Sequence, residues 1–173
     1  MARSDRPTVF TVCGLPGAGK TRFARELARD RGAVCFSADE WVLSLYGPGL
    51  PVARFGEFKA RVWEQIWRVA ARLLELGVSV VLDFSFYLRS DRADFRRRAA
   101  AAGADFRIYY LECSVDVARA RVQARNRRPG MDTFSIGARD FDQLVALLEP
   151  PSRQEEPDVV RVQAALEELE LSR

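Results

Sequence analysis

Thr8-Val9-Phe10-Thr11-Val12-Cys13 runs directly into Gly14-Leu15-Pro16-Gly17-Ala18-Gly19-Lys20-Thr21, and this junction decides the fold. The first six residues read as a buried strand. The next eight match G-x-x-x-x-G-K-[ST], the loop that cradles phosphates. From Arg22 to Arg31 the chain reads as a helix with Phe23, Leu27 and Ala28 on one face. A strand, a glycine loop and a helix N-terminus are the parts that hold a triphosphate. The glycines let successive N–H groups turn inward, and the helix start adds the positive end of its dipole. The expected contacts run from Gly14, Leu15, Pro16, Gly17, Ala18 and Gly19 through Lys20, Thr21 and Arg22. Lys20 is expected to reach the β- and γ-phosphates, and Thr21 to hold Mg²⁺.

Apolar runs alternate with helical periodicities along the rest of the chain, the pattern of a parallel sheet with crossover helices. After the first strand come Ala33–Ser37, Val78–Asp83, Phe106–Glu112 and a shorter Val159–Val162. Between the second and third, Phe58, Val62, Ile66, Val69, Leu73 and Leu76 recur at spacings of three and four, with Trp63 and Trp67 widening the face. Gly77 follows as a C′ residue. Further helices are expected over Asp91–Ala102, over Val115–Arg125 with Ser114 as N-cap, over Ile136–Leu148, and over Gln163–Leu171. Residues 47–51 and 127–133 read as the two loops. No repeat, low-complexity segment or linker divides the chain, so residues 1–173 read as one domain.

Two acidic residues end strands. Val80-Val81-Leu82-Asp83 resembles a Walker B strand, and in an open parallel sheet the carboxyl ends face the ligand crevice. Asp83 is therefore expected beside the Thr21-bound metal, the alternative being a cap on the next segment. Ser37-Ala38-Asp39-Glu40-Trp41 follows the second strand at the same edge. Asp39 is the candidate base for an acceptor hydroxyl; the alternative is that Ser37 or Asp39 N-caps a helix from Trp41 to Tyr46. Glu40 is the fallback base, or a partner of the helix dipole.

Arginines cluster at Arg119, Arg121, Arg125, Arg127 and Arg128. Arg121 and Arg125 share a helix face, opposite a stripe of Val115, Ala118 and Val122. Phosphoryl transfer is accelerated by positioning and by neutralising charge, so an arginine-rich lid over about residues 119–134 is expected, against the plain reading of a solvated basic face. Arg89 and Arg92 either bind an anionic acceptor or pack near the third strand. Trp41, Tyr46, Phe55, Phe84, Phe86 and Tyr87 line an acceptor pocket or belong to the core.

Composition narrows the classes. The 27 basic and 24 acidic residues leave a net charge of +3, and only Lys20 and Lys59 are lysines. That balance is compatible with phosphate-bearing substrates without demanding nucleic acid. Arg96-Arg97-Arg98 reads as a solvated helix face. There is no histidine, which removes histidine bases and leaves the carboxylates. Cys13, Cys35 and Cys113 lie far apart at strand-like runs and read as buried, reduced thiols. With no long apolar stretch and no signal-peptide h-region, a cytoplasmic protein that avoids membranes is expected, monomeric by default.

As an ordered set these residues resemble the P-loop small-kinase group: zeta-toxin-like and chloramphenicol-phosphotransferase-like kinases and the kinase domains of polynucleotide 5′-kinases, within the AAA-type P-loop NTPases. The set comprises Gly14–Thr21, Ser37–Trp41 with Leu45-Tyr46-Gly47, Val80–Phe84, Arg89, Arg92, Arg121-x-x-x-Arg125-Asn126, Leu148–Pro151 and Glu155. The resemblance covers almost the whole chain. It implies a P-loop kinase fold with a five-stranded parallel sheet of order 2-3-1-4-5, helices on both faces and an arginine-rich lid. It also implies ATP·Mg²⁺ on Lys20 and Thr21, Asp39 as base, and Arg121 and Arg125 in the lid. Polynucleotide kinases of this type carry an arginine three residues after that aspartate, where this chain has Val42.

The leading expectation is an ATP-dependent phosphotransferase acting on a hydroxyl of a small molecule, chosen by the segment from Trp41 to Trp67. A polynucleotide or tRNA 5′-hydroxyl kinase stands second, with Arg-rich helices supplying phosphate contacts. A nucleotide-dependent switch stands third. The absence of N-K-x-D favours ATP over GTP.

Overall fold

The computed structural model describes residues 6–47, 55–127, 134–154 and 156–163. Five strands, β1 (Thr8–Cys13), β2 (Val34–Ser37), β3 (Val80–Ser85), β4 (Asp105–Glu112) and β5 (Val159–Gln163), form one sheet of order β2-β3-β1-β4-β5. All four pairings are parallel. The helices are α1 (Lys20–Arg31), α2 (Ala38–Tyr46), α3 (Phe55–Glu75), α4 (Arg89–Ala101), α5 (Val115–Arg127) and α6 (Ala138–Leu147). The expected topology is the observed one.

Strand alternation divides the core. Val9, Cys13, Val80, Leu82 and Phe84 pack with Val42, Val62, Ile66 and Phe95, beneath α2, α3 and α4. Phe10, Val12 and Val81 pack with Ala24, Leu27 and Ala28 of α1 on the other face. A smaller cluster joins Leu15 to Ala118, Val122 and Phe141, seating the glycine loop on α5 and α6. No described helix is long and apolar enough to cross a membrane.

The elements differ from expectation mainly at their edges. β3 begins at Val80 rather than Val78, because the Val78 N–H is used to stop α3. It donates to Leu73 O at 2.9 Å while Gly77 N–H donates to Leu74 O at 2.9 Å, with Gly77 at φ 77°. That six-to-one and five-to-two pair is a Schellman stop, with Gly77 at C′ as expected. At its other end β3 continues past Asp83, since Ser85 pairs with Cys13 after a one-residue shift of register. α4 starts at Arg89, whose backbone N–H donates to Glu149 Oε2 at 2.6 Å. Ser114 caps α5 through Val117 N–H at 3.3 Å.

Two buried faces need correction. On α3 the buried row is Phe58, Val62, Ile66, Ala70 and Leu74, whereas Val69 is 45% and Leu76 65% exposed. The sheet takes a strict i, i+4 row, inclined to the helix axis, and an i, i+3 step leaves it. On α5 Ala118 and Val122 are buried, but Val115, in the first turn, is 38% exposed. Cys13 is buried; Cys35 and Cys113 are half-buried, and all three are free thiols. The expected loops at 48–51 and 128–133, Arg128, Glu155 and the terminal helix beyond residue 163 lie outside the described residues.

Candidate active site

Strands β1, β2 and β3 end at one rim. Register sets Ser37 beside Asp83 and Cys13 beside Ser85, so the segments leaving all three strands line one cleft. The cleft has a volume of about 1080 Å³.

The glycine loop forms its floor. α1 starts at Lys20, two residues before the sequence suggested, because Gly19 at φ 87° turns the chain straight into the helix. Gly17 is at φ 85° and so close to α5 that a Cβ there would lie 2.4 Å from Ala118 O. Gly14, at φ 145°, abuts the Leu111 carbonyl in the same way. Only glycine fits either position. Pro16, Gly17, Ala18, Gly19, Lys20, Thr21 and Arg22 all border the cleft. Gly14 and Leu15 lie behind it, and the Leu15 and Ala18 side chains are buried. Gly17 and Gly19 can therefore offer a ligand backbone N–H groups and little else, while Lys20 and Thr21 add side chains.

Lys20 is buried, and its Nζ donates to Leu15 O across the loop at 2.9 Å. Burial lowers its pKa, opposed by the charges of Asp83 and Asp39. Thr21 Oγ1 donates to Asp83 Oδ2 at 2.6 Å, the link expected between loop and Walker B-like strand. Burial raises the Asp83 pKa, while the Thr21 hydrogen bond and Lys20 pull it back. A hydroxyl and a carboxylate oxygen side by side are the hard donors that Mg²⁺ takes, alongside nucleotide phosphates and water.

Asp39 is exposed in the first turn of α2 and borders the cleft. It does not cap the helix. α2 starts at Ala38, ahead of the expected Trp41, and Ser37 is the N-cap, accepting from Glu40 N–H at 3.5 Å. Glu40, the fallback base, is tied to Arg25 of α1.

Arg121 and Arg125 border the cleft from α5. Arg125 Nη2 donates to Phe134 O at 3.4 Å, and its Nε is buried without a hydrogen-bond partner among the described residues. Burial lowers the Arg125 pKa, with Asp39 and Tyr87 acting against it. Arg119 points elsewhere: it pairs with Asp142 at 2.7 Å and covers the Phe141 ring. Asn126 clasps Ile136 by two hydrogen bonds, its Nδ2 donating to Ile136 O at 2.7 Å and Ile136 N–H donating to its Oδ1 at 3.3 Å, which holds Ile136 against the end of α5.

Other expected site residues belong to the scaffold. Arg92 is 1% exposed and paired with Glu156, so it binds no acceptor. Phe84 and Phe86 are core, in a ring cluster with Trp63 and Phe95. Of the three neighbouring arginines, Arg96 and Arg98 are half-buried in ion pairs with Asp158 and with Glu64 and Asp94. Tyr87 does line the cleft. Two residues carried no sequence signal. Ser85 borders the cleft at φ 69°, unusual for a non-glycine residue. Lys59 of α3 lies over the Tyr87 ring, 5.8 Å from its centroid.

The model of the AAA domain family matches residues 9–151, from β1 through the glycine loop, the Asp39 turn, β3 and α6. The chain belongs to that family. Among solved structures, a protein of Chloroflexus aurantiacus J-10-fl is similar with a TM-score of 0.73 and 19% identity, covering 92% of this chain and 89% of that one. Kti12 of Chaetomium thermophilum, solved with ADP-AlF3, gives 0.72 and 22%, covering 94% and 91%. A gluconokinase of Sinorhizobium meliloti 1021 gives 0.63 and 21%, covering 92% and 83%. None of the curated proteins compared matches the sequence significantly. The AAA domain chain thus has the P-loop kinase fold, over nearly its full described length.

Proposed function

We propose that this AAA domain protein is an ATP-dependent phosphotransferase that moves the γ-phosphoryl group of ATP to a hydroxyl of a small molecule. The supporting observation is that one cleft collects Lys20, the Thr21–Asp83 pair, Asp39 and Arg125. A switch needs Lys20, Thr21 and Asp83; an exposed carboxylate opposite a lid arginine serves transfer. The gluconokinase among the similar structures is in keeping with a small hydroxyl acceptor.

The loop N–H groups and the α1 N-terminus bind the triphosphate, and Lys20 exchanges its Leu15 carbonyl for a phosphate oxygen. Thr21 and Asp83 would hold Mg²⁺, which would supply positive charge against the phosphates. Asp39 orients the acceptor hydroxyl and takes its proton as the new O–P bond forms and the bond to the ADP oxygen breaks. Arg121 and Arg125 face the transferring group and stabilise its charge.

The test is ADP release from Mg²⁺·ATP with a panel of hydroxyl compounds that includes a 5′-hydroxyl oligonucleotide, using wild type, Lys20→Ala and Asp39→Asn. At least one small acceptor should stimulate release, Lys20→Ala should abolish it, and Asp39→Asn should cut it about 100-fold or more with ATP affinity intact. Full activity of Asp39→Asn would end its assignment as base. Stimulation by the oligonucleotide alone would make this a polynucleotide kinase, and slow hydrolysis indifferent to every acceptor would make it a switch.

A further inference from the structure

The chain's only two lysines converge on one aromatic ring. Lys20 Nζ lies 5.9 Å and Lys59 Nζ 5.8 Å from the centroid of Tyr87, which borders the cleft. Lys20 comes from the phosphate loop and borders the cleft, whereas Lys59 comes from α3 and adjoins the cleft through the Tyr87 ring. Lys59 is also 4.9 Å from the Trp63 ring centroid. Among the described residues its ammonium makes no hydrogen bond and no ion pair.

Lys59 is half-buried, so its ammonium gives up part of its hydration. Two ring faces replace only part of the hydration it gives up. Burial lowers its pKa, with Asp39 the strongest opposing charge and Asp91 next. Asp39 acts on Lys20 as well. The carboxylate assigned as base thus stands in the field of both lysines, one at the phosphate end and one beyond it. The residue type is informative too. In a chain whose other cations are arginines, a compact ammonium with three rotatable donors occupies this position.

We propose that Lys59 is the anion-binding residue of the acceptor side, and that the phosphorylated hydroxyl compound carries an acidic group, a carboxylate or a phosphate, which pairs with the Lys59 ammonium. This rests on the phosphotransferase reading and narrows its substrate class. The acidic group anchors one end of the acceptor on α3 and presents a hydroxyl to Asp39. A neutral polyol leaves the ammonium unpaired and is discriminated against, because an unmet charge in a half-buried site is costly.

With two lysines the direct test is simple. The full-length protein, its amines dimethylated with ¹³C, gives one NMR resonance for each lysine and one for the α-amine, and Lys59→Arg assigns the Lys59 signal. A non-hydrolysable ATP analogue with Mg²⁺ first occupies the phosphate loop and Lys20. D-gluconate, D-glycerate and glycerol 3-phosphate are then titrated, against glucose and glycerol. The expected result is a saturable shift of the Lys59 resonance with at least one acidic compound and none with the neutral ones; the carboxylates and the phosphate separate the two anion classes. No shift with any acid, or equal shifts with neutral polyols, overturns the proposal. ADP release with the same panel reads the kinase separately. Lys59→Met should raise KM for the acidic acceptor at least about tenfold while leaving KM for ATP unchanged, and Lys59→Arg should restore part of the loss. An acidic acceptor phosphorylated with unchanged KM by Lys59→Met overturns the role of Lys59 and leaves the kinase standing. An acid that moves the Lys59 signal without releasing ADP leaves the anion site standing and overturns the kinase.

Discussion

Arg92 and Glu156 grip each other through two parallel hydrogen bonds, Nε to Oε1 and Nη2 to Oε2, each 2.8 Å, with both side chains 1% exposed. The remaining Arg92 nitrogen donates to the carbonyls of Phe86 and Tyr87 at 3.0 and 3.3 Å. The pair therefore fastens the turn after β3, where Ser85 and Phe86 have positive φ, to the segment entering β5. Burial acts to lower the Arg92 pKa, but the Glu156 hydrogen bonds and the nearby charges of Glu156 and Glu149 work together against it, and the net shift is upward.

Removing one partner strands the other charge in the interior. Glu156→Gln should lower stability by about 3–5 kcal/mol, whereas Arg92→Met with Glu156→Leu should recover most of that loss. Urea denaturation of the single and double variants measures both. A Glu156→Gln variant within about 1 kcal/mol of wild type would show the pair to be energetically neutral.

The glycine loop makes a sharper comparison. Gly17 and Gly32 both have positive φ, but a Cβ at Gly32 meets nothing within 4 Å, while one at Gly17 strikes Ala118 O. Gly32→Ala should cost only the backbone term, about 1–2 kcal/mol. Gly17→Ala should cost more and weaken nucleotide binding at least about tenfold, since the loop has to move off α5. Denaturation and titration with a fluorescent ATP analogue check the two parts. Equal costs at both sites would mean the loop relaxes freely.

How far the sequence carried this reading depends on the range of the interactions. The glycine loop, the five strands, the Gly77 stop and the convergence of Asp83 on Thr21 were legible, because each is a local pattern or a consequence of parallel topology; the strand order came from the resemblance of the whole motif set, not from any one segment. Arg92 was not. The sequence left it between an anion binder and a residue packed near the third strand; the second holds, but its partner Glu156 is 64 residues away with no spacing to announce it. Lys59 was obscured for the same reason: i, i+4 periodicity places it beside the buried row of α3, but only the packed sheet brings Tyr87 over it. Val69 and Leu76 failed because periodicity gives a face, while the tilt of the helix on a twisted sheet selects the row within it.

Cys13 gives a pH-dependent prediction. Its thiol donates to Phe86 O at 3.3 Å, and burial pushes its pKa from 9.0 up to about 11. The folded state thus holds the proton more tightly than the unfolded state. The contribution is complete below the unfolded pKa near 9, and is lost as pH rises from there through the folded pKa. Between about pH 9 and 11, wild type should lose about 2–3 kcal/mol more stability than Cys13→Ser, which keeps a donor but does not ionise. Parallel denaturation curves across that range read the difference. Identical slopes would place the thiol in an environment where it ionises freely.

Arg125 is the strictest test of the lid. It borders the cleft beside the proposed base, and its buried Nε has no hydrogen-bond partner among the described residues, so a donor is left over for a ligand. If that donor meets charge that grows only as the phosphoryl group transfers, its loss belongs in kcat and not in ATP affinity. Arg125→Ala should therefore lower kcat about 100- to 1000-fold, with the ATP dissociation constant changed by less than about threefold. Arg125→Lys should recover little, because one ammonium cannot keep the Phe134 carbonyl and also reach the transferring oxygens as a planar fork does. Arg119→Ala supplies the contrast: its guanidinium is engaged with Asp142 and Phe141, so kcat should stay near wild type. A loss of ATP affinity in Arg125→Ala as large as the loss in kcat would make this arginine a ground-state nucleotide contact, and the charge-stabilising role would then fall to Arg121.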